Sequence, residues 1–287
     1  MATEDRGSSS GVRLDRLLER VADVAYDLLV YATILFLLAP LAVVVIISFQ
    51  SNAYAGWPPQ GITLKWYTSL PQDLANLGVL SALSSSIQLA VATAVISTTL
   101  GGLAAFAIVR YDFKYQMTLE TVLISPLIYP WIVIGLSLLL IVGRINDLLG
   151  LNIQLSFWTL LIGHVIFTLP YPIRTIGASL QNYNLSLEEA AQNLGATELE
   201  SYLRVTLPLV QPGVLSGLVF TFVLSFNQYI ISLFLSGPNI KTMPLVLFSL
   251  FYNTSPAQLA AIATLLMGGI LTIVLVMEYV AGISEFM

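Results

Sequence analysis

Six long apolar blocks divide this chain, running approximately over Leu28–Phe49, Leu83–Val109, Leu119–Val142, Phe157–Ile173, Gly213–Leu235 and Gln258–Val280. A helix needs about 20 apolar residues to cross a hydrocarbon core, and backbone in lipid must satisfy its hydrogen bonds internally. The blocks therefore predict an all-α membrane protein with six transmembrane helices, the fourth being the shortest. With 57 % hydrophobic and 9 % charged residues, the chain lies far from soluble domains, where about a quarter of residues are charged. A formal charge of -5 argues against a nucleic-acid partner, and the absence of cysteine excludes disulfides and thiolate metal sites.

Loop charges orient the spans, because cytoplasmic segments attract Lys and Arg. With the amino terminus inside, Arg6, Arg13, Arg16, Arg20, Arg110, Lys114, Arg174 and Arg204 fall inside, and Lys65, Arg144 and Lys241 fall outside. Eight against three places both termini in the cytoplasm of a cell membrane. Residues 1–27 carry six carboxylates among four arginines and lack a cleavage pattern, so a signal peptide is not expected. They are expected to form a polar tail and an amphipathic helix over Arg13–Asp27 that lies on the membrane surface, with a helix packed on protein as the alternative. Residues 28–287 form the membrane domain, with a cytoplasmic loop over 181–212.

The loop between the first two spans holds Trp57, Pro58, Pro59, Trp66 and Tyr67, expected as headgroup anchors. Small residues in the second span, among them Ala90, Ala94, Ser97, Gly101 and Gly102, suit a helix inside a bundle. Pro126 and Pro130 interrupt the third span, and Pro170 with Pro172 the end of the fourth. His164, the single histidine, has no ligand-spaced partner, so a hydrogen-bonded structural role is expected. In SFNQYIIS of the fifth span, Asn227 and Gln228 need partners in lipid. Either they pair between helices, or with Phe226, Tyr229, Tyr129 and Trp131 they line a substrate path. Met243–Phe251 is apolar but too short to span, suiting a re-entrant or surface helix.

Ser186–Pro208, SLEEAAQNLGATELESYLRVTLP, is the one long polar interval in the second half of the chain. Ser186 with Glu189 and Thr197 with Glu200 have capping-box spacing, predicting two short helices on either side of Gly195. Gly195 supplies the positive φ for the turn, and Pro208 is expected to stop the second helix. None of the three lysines sits in a G-x-x-x-x-G-K-[ST] loop, no intramembrane carboxylate pair is present, and no hydrolase motif occurs. The chain is therefore read as no enzyme, with no cofactor or metal of its own. Uphill transport would draw its energy from another protein.

The run Glu189, Ala190, Ala191, then Gly195, then Val205, Leu207 and Pro208 resembles the cytoplasmic signature of ABC importer permeases, E-A-A, three residues, G, nine residues, I-x-L-P. Val205 stands where the family has isoleucine. The segments GITLKWYTSL, LGGLAAFAIVRYDF, RVTLPLVQPGVLSG and SLFLSGP are similar to the second permease subunit of spermidine/putrescine-type importers. This resemblance implies a type I ABC importer permease fold with cytoplasmic coupling helices. The implied partners are two ATPase subunits that bind ATP and magnesium, a second and non-identical permease, and an extracytoplasmic solute-binding protein. It also implies that Glu188, Glu189, Ala190, Ala191, Gly195, Ala196, Leu207 and Pro208 couple to the ATPase. Polyamine relatives commonly carry an acidic residue near Asn227 and Gln228, which leaves iron, thiamine, phosphonates or sugars open as solutes. A secondary transporter would need inverted repeats or intramembrane charges, and neither is visible. A structural membrane subunit would share the topology without needing the docking loop.

Overall fold

A computed structural model describes the backbone of residues 8–281 apart from 55, 57 and 183. The start of the polar tail, Trp57 and the carboxyl-terminal residues 282–287 lie outside the described residues. Among the described residues the helices are, in chain order, α1 (Ser8–Ser48), α2 (Lys65–Asn76), α3 (Val79–Arg110), α4 (Gln116–Ile124), α5 (Trp131–Leu149), α6 (Phe157–Thr168), α7 (Pro170–Gln181), α8 (Ser186–Asn193), α9 (Glu198–Ser201), α10 (Leu207–Phe226), α11 (Ile230–Leu235), α12 (Met243–Asn253) and α13 (Pro256–Ala281). Five helical stretches are long and apolar enough to cross a membrane: Glu19–Ser48, Val79–Arg110, Trp131–Leu149, Glu198–Phe226 and Pro256–Val276. The pair α6 and α7, bent by 40°, makes a sixth if it is counted as one broken span.

Several boundaries differ from the sequence expectation, and proline chemistry accounts for most of them. The third block does not form one helix over Leu119–Val142: α4 ends at Ile124, a 3-10 turn covers Ser125–Leu127, and Pro130 precedes α5. A proline removes an amide donor and biases the residue before it away from the helical region, so two of them within five positions break the helix outright. Pro170 and Pro172 lie in the middle of the fourth span rather than at its end. Pro208 does not stop a helix. A π-helical turn over Tyr202–Thr206 runs from α9 directly into α10, and Leu207 N–H reaches back to the Tyr202 carbonyl. The widened turn accommodates the proline ring, which would otherwise clash with the preceding turn. The fifth span therefore starts at Glu198 and ends at Phe226, earlier at both ends than Gly213–Leu235.

By contacts the chain divides into two compact units, one running through Thr68 and including Ser255–Leu266, the other built from Ser69–Thr254 and the segment from Met267. In the first, α1 is continuous from Ser8 to Ser48, so no backbone break marks the division expected at residue 27. Its side chains are exposed from Glu19 to Val43 apart from Val30, and from Leu28 onward that exposed surface is predominantly apolar, as on a helix that faces lipid. After α1 the loop is tied back on itself. Trp66 Nε1 donates to the Gln50 carbonyl at 2.7 Å, Tyr67 OH meets Ser48 Oγ at 2.6 Å, and Lys65 Nζ donates to the Ser51 carbonyl at 2.6 Å. Trp66 and Tyr67 are thus half-buried pins of this loop.

In the second unit α3, α7 and α10 pack around a cluster of Ala105, Ile108, Ile173, Ile176, Leu180 and Val210. Close approach depends on small residues, as expected where helices associate without a hydrophobic driving force between them. A Cβ on Gly213 would fall 2.7 Å from the Thr175 carbonyl oxygen, and one on Gly101 would fall 2.7 Å from Pro172 Cγ. A second cluster joins Leu89 of α3, Leu160, Leu161 and Phe167 of α6, and Ile231 and Leu235 of α11.

Candidate functional site

The polar interval folds as two short helices around a glycine turn. Gly195 has φ +97, a left-handed backbone conformation, and nothing lies within 4 Å of the position a Cβ would take. At Thr197 the expected capping box is present, with Glu200 N donating to Thr197 Oγ1 at 3.3 Å and Thr197 N donating to Glu200 Oε2 at 3.0 Å. At Ser186 it is not. Ser186 is the first residue of α8, and its amide donates instead to Asn184 Oδ1 at 3.1 Å. Asparagine two residues upstream closes a local turn that competes with the serine cap.

The two glutamates of the E-E-A-A run have opposite surroundings. Glu189, Ala190 and Gly195 are exposed, Ala191 and Ala196 are half-buried, and Leu194 is 90 % exposed. Glu188 is 6 % exposed. Its Oε1 accepts from Arg110 Nη2 at 2.5 Å, with both side chains 9 % accessible, and also from Thr206 Oγ1. Ser201 Oγ donates to the Glu188 carbonyl at 3.5 Å. One carboxylate thus holds the end of α3, the short helix α8 and the π-helical turn leading into α10. Removing one partner of such a buried pair costs about 3–5 kcal/mol, because the other charge is left uncompensated. The family resemblance implies Glu188 as a coupling residue together with Glu189, whereas the Glu188 side chain is turned inward. Arg110, Ser201 and Thr206 were missed. A cation that closes a long apolar helix was their one visible signal. Leu207 and Pro208 are exposed, at the start of α10.

The residues read as a substrate path fall into separate settings. Phe226 is packed in a cluster with Ala90, Ala94 and Phe222. Gln228, 3 % exposed, turns its Oε1 toward the amides of Ile230 at 3.0 Å and Ile231 at 3.4 Å, capping α11. Asn227 is exposed and donates to the Val223 carbonyl at 2.9 Å. Tyr229 lies against Phe248, ring centroids 5.1 Å apart. Tyr129 and Trp131 sit at the break between α4 and α5, where Trp131 meets Phe167 edge-on at 5.4 Å. Both amide side chains thus make local hydrogen bonds, Asn227 back to Val223 and Gln228 forward to Ile230 and Ile231, and neither pairs separate helices. His164 is also structural: Nδ1 meets Ser225 Oγ at 2.8 Å and Nε2 meets Ser232 Oγ at 3.0 Å. Those serines flank the break between α10 and α11, so the imidazole of α6 clamps both sides of it.

Comparison with known proteins bears on the whole arrangement. Residues 97–281 match the family model of binding-protein-dependent transport system inner membrane components. The chain belongs to this family. It is 32 % identical over 247 residues to the spermidine/putrescine transport system permease protein PotC of Escherichia coli (strain K12), covering 86 % of this chain and 89 % of that one. To the putrescine transport system permease protein PotI of the same strain it is 33 % identical over 240 residues, covering 82 % and 83 %. In three dimensions it is similar to a chain in the crystal structure of a bacterial alginate ABC transporter in complex with an alginate pentasaccharide-bound periplasmic protein. The TM-score is 0.70 at 18 % identity, covering 93 % of this chain and 96 % of that one. The fold is that of a type I ABC importer permease, and the chain is an integral membrane component of such a transport system.

Proposed function

We propose that this chain forms half of the translocation pathway of an ATP-driven importer for a polyamine, driven by separate ATPase subunits that dock on α8 and α9. The supporting observation is the coupling loop itself: Glu189, Ala190, Leu194 and Gly195 face outward, while the buried Glu188 carboxylate fixes the loop to α3 and α10. The exposed surface gives a partner something to grip, and the buried attachment gives it something to move. A second permease completes the pathway, a solute-binding protein delivers the cargo from outside, and ATP with magnesium is held by the ATPases. Both termini and the loop lie in the cytoplasm, with the segment through residue 27 leading into α1. The polyamine assignment draws on the names of the two relatives above.

One observation favours a second reading of the cargo. Asn227 and Gln228 carry no charge, and the Gln228 carbonyl is committed to capping α11. A dication therefore meets no carboxylate at this position, and a neutral or differently charged solute fits it as well.

The experiment is co-expression of the tagged chain with its permease partner and a P-loop ATPase, followed by uptake in proteoliposomes supplied with the binding protein. ATPase should co-purify, and labelled spermidine should accumulate only with ATP inside the compartment that holds the ATPase. Purification without ATPase, or equal uptake without ATP, refutes the transport reading. ATP-driven uptake of a sugar, phosphonate or thiamine in place of spermidine refutes the polyamine assignment alone.

A further inference from the structure

We infer that Glu188 is a positioning residue that transmits the movement of the coupling helix to α3 and α10, and that it does so without touching the ATPase. This inference rests on the docking reading of α8 and α9. Three features of the structure carry it. First, the side chain is buried and its Oε1 is engaged by Arg110, at 2.5 Å, and by Thr206. Arg110 is the last residue of α3 and Thr206 the last of the π-helical turn, so force applied to α8 reaches the ends of two long apolar helices through one carboxylate. Second, the joint includes a π-helical turn, a conformation that departs from the regular ladder and recurs at functional sites. Third, the joint has room beside it. An open groove of about 380 Å³, lined by Gly102, Phe106, Tyr202, Leu203, Thr206 and Val210 among others, adjoins the π-helical turn. A turn that borders an open groove on one side is held by fewer packed neighbours than one enclosed in a core, which would resist a change of its hydrogen-bond register.

Glu189 and Glu188 then divide the work, the first outward on the surface offered to the ATPase and the second inward on the load. Loss of the docking residue should release the ATPase. Loss of the inward one should leave the ATPase attached to a pore it no longer drives.

The test uses the complete importer in proteoliposomes and reads how strongly the binding protein stimulates ATP hydrolysis, which requires no knowledge of the solute. Glu188→Ala should keep ATPase subunits at the wild-type ratio while stimulation falls at least fivefold. Arg110→Gln should do the same, and Arg110→Lys, which retains the charge, should recover at least half of the stimulation. Thr206→Val removes one hydroxyl at nearly constant volume and should lower stimulation about threefold with unchanged basal hydrolysis. Wild-type stimulation in Glu188→Ala overturns the inference, and so does loss of the ATPase subunits from that variant, which would make Glu188 a docking residue. If Glu188→Ala does not accumulate, wild-type stimulation in both Arg110→Gln and Thr206→Val overturns it. Failure of the unmodified chain to retain ATPase refutes the docking reading instead.

Discussion

Replacing Gly195 with alanine isolates the backbone from everything else in the loop between α8 and α9. The glycine sits at φ +97 with open space where a Cβ would be, so alanine meets no neighbour and the whole effect is conformational. An L-residue in the left-handed region carries a penalty of roughly 1–2 kcal/mol. That corresponds to about a 5- to 30-fold fall in the population of the observed turn. If the ATPase binds this turn, the apparent Kd of the isolated ATPase for the reconstituted permease pair should rise by the same factor, while membrane insertion and yield stay unchanged. Asparagine tolerates positive φ better than other non-glycine residues, so Gly195→Asn should lose less affinity than Gly195→Ala. Gly195→Val, β-branched and stiff, should lose the most. Fluorescence titration of labelled ATPase gives all three constants. Alanine within twofold of wild type, or asparagine as damaging as valine, refutes the argument that the backbone angle sets docking.

Other outcomes follow from packing and hydrogen bonding in the second unit. Gly213→Val should abolish folded yield by size-exclusion chromatography in detergent, because its Cβ would sit 2.7 Å from the Thr175 carbonyl oxygen, whereas Gly268→Ala, with nothing within 4 Å, should be neutral. Gln228→Ala leaves the amides of Ile230 and Ile231 without their acceptor and should cost about 1–3 kcal/mol, read as a lowered Tm. Asn227→Ala, at an exposed position, should leave Tm unchanged. His164→Ala removes two interhelical hydrogen bonds. At about 0.6 kcal/mol on average and 1.7 kcal/mol at most for each, it should lower stability by about 1–3 kcal/mol. Thermal denaturation in detergent distinguishes that from no change.

Much of this architecture was legible because it follows from short-range chemistry. Block length and lipid's intolerance of unsatisfied backbone predict the spans, Pro126 and Pro130 mark an interruption, and Thr197 with Glu200 caps a helix as their spacing implies. Local reasoning failed where two local signals compete. Asn184 captures the Ser186 amide, and the π-helical turn carries Pro208 into a helix that the proline was expected to end. It also left Gln228 open between interhelical pairing and a substrate path, whereas its side chain caps α11, because the break after Phe226 has no proline or glycine to announce it.

The sequence by itself determined that the chain lives in a membrane, that it is built from apolar helical blocks, and that a polar loop with a hinge glycine and an E-A-A run interrupts them. It could not say which of two adjacent glutamates faces inward. That depended on Arg110, 78 positions away, and on Thr206, 18 positions away, arriving at the same carboxylate. A charge can be buried only where a partner compensates it, and the partners of Glu188 meet only when α3, α8 and α10 pack together.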